Sequence, residues 1–525
     1  MTVYSAPAPG CYRRVRGVHI LLEKDSGLAI CDYPLRAVRL PIVAAQLLAY
    51  CDEERPGEEL ARHAHLSLKQ VEVLCEQLCR RGLLEAGPAL PPAVWPCVSI
   101  IIPTRNRAAQ LERCLRSLLA LDYPASALEI IVVDDASTDE TPTMLQRFVA
   151  ETAAYGWTIH VIRHATRRGV GKGRNTGAAA ANSDLLAYID SDCVASRGWL
   201  KELVPAFQDA RLGAVGGLLR AYERTGMVGR YEDVRSSLFM GVRAQEVQAA
   251  GPIPYVPTAN LLVRREAWRR LEGFASLNFG EDVDFCRRLL AAGYRARYLP
   301  HGTVYHDYRT RLRDFLRTRV SYASSEAILL RLHPRERRTL ILPPEQATFA
   351  ALSIVGLWNM LARPFGKRSS SHGRTNVDRP AGIRSIPVIL AALLTLMGAY
   401  RRWRMAREQR VPLGALAVVR ATLRAHLAYT YHLCRHLTRY YTLPLLLIGL
   451  LLPPLLPLAL LPGAIVVGVD YVRLRPDMGL GEYTLCSLLD DCAYGVGVIL
   501  GCVKHRTWKP LLPVIRWKTT RTASH

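Results

Sequence analysis

The chain has 525 residues, 50% of them hydrophobic, with 69 basic and 45 acidic side chains giving a formal net charge of +24. That length excludes one ordinary domain, and that charge calls for an anionic partner or address: nucleic acid, anionic lipid or a phosphate-bearing substrate. Thirteen cysteines without paired Cys-x-x-Cys spacing exclude a disulfide scaffold and predict reduced, mostly buried thiols in a cytosolic compartment, and residues 1–16 lack the apolar stretch of a secretory signal.

Residues 1–90 read as a small opening unit. Two β-like runs, Gly17–Glu23 and Gly27–Tyr33, precede helices over Pro41–Cys51, Pro56–His65 and Ser67–Arg81. Pro41 and Pro56 suit the first turn of a helix, and Ser67 with Gln70 forms a capping box ahead of the helical spacing Val71, Leu74, Cys75, Leu78. The order resembles a winged helix. Glu53, Glu54, Glu58, Glu59, Glu72 and Glu76 make it a poor surface for phosphates, so nucleic acid is not expected as a partner. A proline-rich linker follows at 91–97.

From 98 to about 330 strands and helices alternate. Val98–Ile102 and Ile130–Val133 are β-branched runs of the kind buried on both faces of a parallel sheet, with the amphipathic helix Ala108–Leu121 between them. Polar residues follow each strand: Pro103-Thr104-Arg105-Asn106, Asp134-Asp135-Ala136-Ser137, and Asp190-Ser191-Asp192 after Leu185–Ile189. In open α/β sheets ligands bind beyond the carboxyl ends of the strands, so these ends converge on one crevice. An Asp-x-Asp there puts Asp190 and Asp192 on one side, where a divalent ion bridging a diphosphate is held. The stretch Gly169 to Gly177 is neither a P-loop nor a dinucleotide fingerprint. Lys172, Arg174 and Asn175 on it face a phosphate, or form a solvated loop opening a helix over Thr176–Ala181. Gly280-Glu281-Asp282 opens another amphipathic helix and offers a base; the alternative is that its acids only favour a helix N-terminus.

These motifs resemble the inverting glycosyltransferases of family 2: Val98 to Arg107, Val133 to Asp139, Arg174-Asn-Thr-Gly177, Asp190-Ser-Asp192 and Gly280-Glu-Asp-Val-Asp284, in that order over roughly 98–307. The resemblance implies an α/β fold of the GT-A, Rossmann-like type and a nucleotide-sugar donor, most simply a UDP-hexose. Pro103, Thr104, Asn106 and Asp135 or its neighbour Asp134 would hold the base, and Asp190 the ribose or the metal. Asp192 would bind Mg²⁺ or Mn²⁺, with His306 as a further ligand, and Asp282 would be the catalytic base. Asn260 lines a pocket or is structural, Trp199 stacks on a sugar or is core, and Asp284 belongs to its helix face. The opening unit resembles PqqD-like peptide-recognition domains, which capture a peptide as an added strand, and its fusion to a family 2 domain is similar to the transferases of mycofactocin systems. A peptide-derived acceptor and a hexose, glucose, are what that similarity implies.

Residues 331–525 form a basic, membrane-associated helical region. The uncharged stretch Leu443–Gly468 is long enough to cross a bilayer, near 443–469, although Pro453, Pro454 and Pro457 would kink or break it. Ile386–Tyr400 and Cys492–Val503 are shorter than a span. Arg401–Tyr441 holds nine arginines and one glutamate, whereas Asp470–Asp491 holds two arginines and five acids, which places the catalytic domain on the cytoplasmic side of the cell membrane. The basic tail from Lys504 suggests a return crossing. Ala399 stands where a processive synthase has the Gln of Gln-x-x-Arg-Trp before Arg402-Trp403, so only short or non-processive elongation is expected. Two alternatives stay open: a polyprenyl phosphate or polysaccharide acceptor, and a non-catalytic scaffold whose winged unit binds peptide or DNA.

Overall fold

The computed structural model describes residues 10–32, 34–87, 90–153, 157, 159–249, 251, 253–361 and 381–517. The leading residues and the basic tail beyond Trp517 lie outside these. Two compact units emerge: one of Met1–Pro88, Thr339–Arg473 and Pro513–His525, and one of Ala89–Arg338 with Leu474–Leu512.

The second unit is built on an eight-stranded sheet. Its order is Gln245–Glu246, Arg295–Tyr298, Leu212–Gly216, Asn260–Arg264, Leu185–Ile189, Val98–Thr104, Leu128–Asp134, Ile159–Arg163. The last four run parallel, as the apolar runs Val98–Ile102 and Ile130–Val133 predict for the central pair; the edge strand Ile159–Arg163, with His160 and Arg163 in it, carried no such run. Successive residues serve opposite faces: Ile100, Ile102, Ile130 and Val132 join one core, while Ile101, Ile131 and Val133 join the other. The helix Ala108–Leu119 covers the first face with Leu111, Cys114, Leu115 and Leu118, at helical spacing. The sheet is mixed rather than all parallel, because Asn260–Arg264 runs antiparallel to both its neighbours. A second sheet of Cys193–Ala195, Val304–His306 and Leu219–Ala221 lies beyond the strand ends.

In the same unit the helix Leu480–Lys504 lies against Leu312–Leu332, where side chains in place of Gly497 and Gly501 would strike the backbone of Val320 and Ser324. Buried Arg319 pairs there with Glu232 and, at 3.0 Å, with Asp490.

In the other unit, Val18–Leu22, Ser26–Asp32 and Leu35–Pro41 form one sheet, and Arg55–Pro56, Cys11–Arg14 and Leu84–Ala86 a second. Helices Ile42–Tyr50, Gly57–Ala64 and Leu68–Arg80 close a core of Ala45, Leu48, Leu60, Val71, Cys75 and Leu78. The Ser67–Gln70 capping box is formed. Pro41 and Pro56 sit at the N-cap instead of the first turn, and four strands join the two expected: Cys11–Arg14, Arg55–Pro56 and Leu84–Ala86 pair with partners remote in sequence, and Leu35–Pro41 pairs back on the neighbouring Ser26–Asp32.

The apolar stretch 443–469 is not one span. A helix Ala415–Leu451 carries Pro444 within it, a 3₁₀ turn occupies Pro453–Leu455, and Leu456–Leu474 follows. Consecutive prolines remove the amide donors that would continue the first helix. The two shorter stretches lie inside longer helices, since polar flanks continue them. Among the described residues Ser385–Glu408, Pro453–Leu474 and Leu480–Lys504 are long and apolar enough to cross a membrane.

Candidate active site

Asp190 ends the strand Leu185–Ile189, and its carbonyl accepts from the Cys193 N–H at 3.0 Å, turning the chain into Cys193–Ala195. That short strand pairs antiparallel with Val304–His306, Cys193 opposite His306, which brings the imidazole to Asp192 with Nε2 3.8 Å from Oδ1. Asp192 is 4% exposed and meets Arg107 at 2.5 Å and Arg309 at 3.4 Å. Burial alone would raise its pKa, but the charges of His306, Arg107 and Arg309 outweigh it and hold the carboxyl below the usual range.

Asp192 Oδ1 and His306 Nδ1 are buried without hydrogen-bond partners. Asp192, Cys193 and His306 bring ligand atoms within 4.8 Å of one another, close enough to hold an ion. Burial pushes the Cys193 thiol well up, so the donors that fit a hard divalent ion are the carboxylate and the imidazole.

The second acidic cluster joins the first through Arg174. This buried guanidinium donates to Asp190 at 2.7 Å and to Glu281 at 2.6 Å. Gly280, at φ 84°, caps the helix Glu281–Ala291 and turns the chain so that Glu281 enters that bridge. Burial, and then the negative charge of Glu281, push the neighbouring Asp282 up to about 7. A carboxyl with that pKa exchanges protons near neutral pH. Asp284 instead accepts from Arg288 at 2.8 Å and lies 2.9 Å from His333 Nε2, on the helix face as expected.

At the other strand ends the structure redistributes the expected roles. Asp135 is occupied by the protein itself: Oδ1 lies 2.8 Å from His164 Nδ1 and accepts from the Arg168 N–H, while Oδ2 accepts from the Gly169 N–H at 2.8 Å. Burial opposes its ionisation, but these hydrogen bonds outweigh it and lower the pKa. Asp134 accepts from the Ser137 N–H at 3.0 Å, and its Oδ2, 3.4 Å from Arg163, has no hydrogen bond. Buried Thr104 leaves Oγ1 unpartnered. Asn106, at φ 53°, accepts from the Thr138 N–H and fixes the two loops together. A cavity of about 480 Å³ lies here, lined by residues that include Ser137, Thr138, Arg163 and His164. Pro103 packs closely on Gly173, where a Cβ would come within 3.2 Å of its side chain.

The glycine-rich stretch is not a loop. It forms a helix, Val170–Ala180, because Gly171, Gly173 and Gly177 allow it to pack directly on Ala275, Pro103 and Ile101. Lys172 is exposed on it. Arg174 and Asn175 are engaged by the protein itself: Arg174 is held between two carboxylates, and Asn175 brackets Phe274, accepting from its N–H and donating to its carbonyl at 2.8 Å each. Asn260 is a structural residue. It accepts from Trp199 Nε1 at 2.8 Å and donates to Leu218 and Gly302, and Trp199 is core.

Sequence reasoning gave no site role to Arg107, Arg309, His164 or Glu281. Arg107 stood inside a quoted motif, and its neutralising role required the folded position of Asp192. Arg309, three residues after His306, carried no signal of its own.

Residues 99–271 match the family model for Glycosyl transferase family 2. The chain is 32% identical over 450 residues, 83% of its own length and 87% of the relative's, to the Pre-mycofactocin glycosyltransferase of Mycobacterium tuberculosis. It is 27% identical over 199 residues, 37% of its length and 41% of the relative's, to a Beta-monoglucosyldiacylglycerol synthase of Nostoc sp.. Among solved structures it is similar to a mannosyltransferase of Pyrobaculum calidifontis in complex with GDP-Man and Mn²⁺, at 21% identity, covering 80% of this chain and 89% of that one, with a TM-score of 0.41.

Proposed function

The chain belongs to glycosyltransferase family 2, and from that premise we propose an inverting, metal-dependent enzyme that moves a hexose, glucose, from a UDP-sugar to a peptide-derived acceptor. The observation that carries the chemistry is one cluster in which Asp282, pushed up to about 7, neighbours Glu281 while Arg174 ties Glu281 to Asp190. An acceptor hydroxyl ionises far above neutrality, so its proton must pass to a positioned base as its oxygen attacks the anomeric carbon. Asp282 takes that proton. The bond from the anomeric carbon to the diphosphate breaks as the new one forms, and its electron pair leaves with the nucleoside diphosphate. Arg107 and Arg309 put positive charge at the leaving side. A divalent ion, Mg²⁺ or Mn²⁺, held by Asp192 and His306 would supply further neutralisation of that charge.

Base recognition falls to Asp134, Thr104 and the adjoining cavity, with Asn106 and Asp135 as positioning residues. The peptide-derived acceptor is taken from the M. tuberculosis relative, whose name gives a pre-mycofactocin substrate. Residues 11–86 would then capture a peptide at a free edge of the Val18–Leu22, Ser26–Asp32, Leu35–Pro41 sheet. The apolar helices support attachment to the cell membrane, with the catalytic unit on the cytoplasmic side.

The test incubates the full chain with UDP-glucose and other sugar nucleotides, a mycofactocin-type peptide product and a polyprenyl phosphate. Glucose transfer to the peptide product is expected. Transfer only to the lipid would move the acceptor to the alternative class, and no transfer or donor hydrolysis under any condition would overturn the enzymatic reading.

A further inference from the structure

We infer that Phe279 and Tyr322 form a ring-binding subsite for the acceptor, taking a flat apolar ring face, either an aromatic ring or the C–H face of a hexose. The inference rests on the reading of Asp282 as base. Phe279 lies three residues before Asp282 and is 38% exposed, a large apolar side chain left in solvent beside a cluster of carboxylates. Its ring contact is with Tyr322, centroids 5.6 Å apart and planes at 69°, an edge-to-face corner that leaves ring surface open.

The corner is held in place. A Cβ at Gly280 would come within 3.0 Å of Leu329 and 3.1 Å of Ser325, so the loop carrying Phe279 packs closely on the helix Leu312–Leu332, on which Ser325 lies less than a turn and Leu329 about two turns beyond Tyr322. The left-handed φ of Gly280 sends Phe279 and Glu281 in different directions, the first outward and the second into the Arg174 bridge. Tyr322 lies within the electrostatic reach of the carboxylates. Burial chiefly, together with the charges of Asp190, Asp282 and Asp192, pushes its hydroxyl up, and Tyr255 is raised by burial and by Asp282 in the same way. A ring stacked on Phe279 would sit on the loop that leads through Gly280 into Glu281 and Asp282, three residues along the chain from the base. Covering Phe279 removes apolar surface from water at little ordering cost, since the corner is already set.

Saturation-transfer difference NMR on the full chain, with phenol, methyl β-glucoside and n-butanol as probes, reads the subsite without needing turnover. Ring protons of phenol or of the glucoside should receive saturation, and the responding probe identifies the ring type. Phe279→Ala should cut that signal at least threefold and Phe279→Tyr should restore it. An equal response from butanol, a signal unchanged in Phe279→Ala, or displacement of the ring probe by UDP-glucose would overturn the proposal. With an acceptor bearing the responding ring, Phe279→Ala should raise KM about three- to tenfold with kcat within about twofold. A fall in kcat at unchanged KM would instead assign Phe279 a structural role. Failure of the base reading would show separately, as turnover by Asp282→Asn with ring saturation intact.

Discussion

Replacing Asp282 by Asn tests the chemistry most directly, because the amide keeps the size and loses the proton acceptor. Loss of a general base costs on the order of two to four decades in rate. The structure adds a pH signature to that loss. With Asp282 pushed up to about 7 by burial and by Glu281, about one tenth of the parent is ionised at pH 6 and about one hundredth at pH 5. The parent kcat should therefore climb roughly tenfold per pH unit below 7 and level off above it, and the residual rate of Asp282→Asn should lack that limb. Stability carries the opposite sign. A carboxyl whose folded pKa is raised disfavours the folded state once it ionises, so the parent loses stability as pH rises from the ordinary carboxylate range through about 7. Asp282→Asn should thus melt higher than the parent at pH 8 and level with it near pH 4. Initial rates from pH 5 to 9 and melting curves at both pH values are the assay. A flat parent profile, or a variant turning over at a tenth of the parent rate, would refute the assignment.

Activity should vanish in EDTA and return with Mn²⁺ or Mg²⁺, and Asp192→Ala should weaken donor binding as well as turnover by titration calorimetry; full activity in chelator would sink the metal assignment. Arg174→Met leaves Asp190 and Glu281 facing each other without their cation, a kind of loss that typically costs about 3–5 kcal/mol, so the variant should melt well below the parent. Because Arg174 also lowers the pKa of Asp282, the rising limb of the pH profile should move above 7 in that variant, and an unmoved limb would uncouple the two. Asn260→Ala orphans the buried Trp199 N–H and two carbonyls and should lower the melting temperature, which differential scanning calorimetry would read; an unchanged value would argue against the structural role.

Side-chain alternation along a strand is a local property, so Ile100, Ile101 and Ile102 announced a strand buried on both faces, and Asp190 and Asp192 announced themselves as strand-end acids. The Ser67–Gln70 cap and the break at Pro453 and Pro454 were legible for the same reason: each is decided within one turn of backbone. What the carboxylates do to one another was not. Asp192 acquires His306 only because Cys193–Ala195 pairs with Val304–His306, and Arg174 meets Glu281 across a separation of 107 residues. Arg174, Asn175 and Asn260 carry groups that bind phosphate and sugar as readily as they bind protein. Which they bind depends on the partners the fold brings within about 3 Å, and those partners were Asp190, Glu281, Phe274 and Trp199. Residue type and local spacing determined where acids and apolar faces would stand. Burial and charge, summed through space over remote segments, decided that Asp282 rises toward neutrality while Asp192 stays ionised.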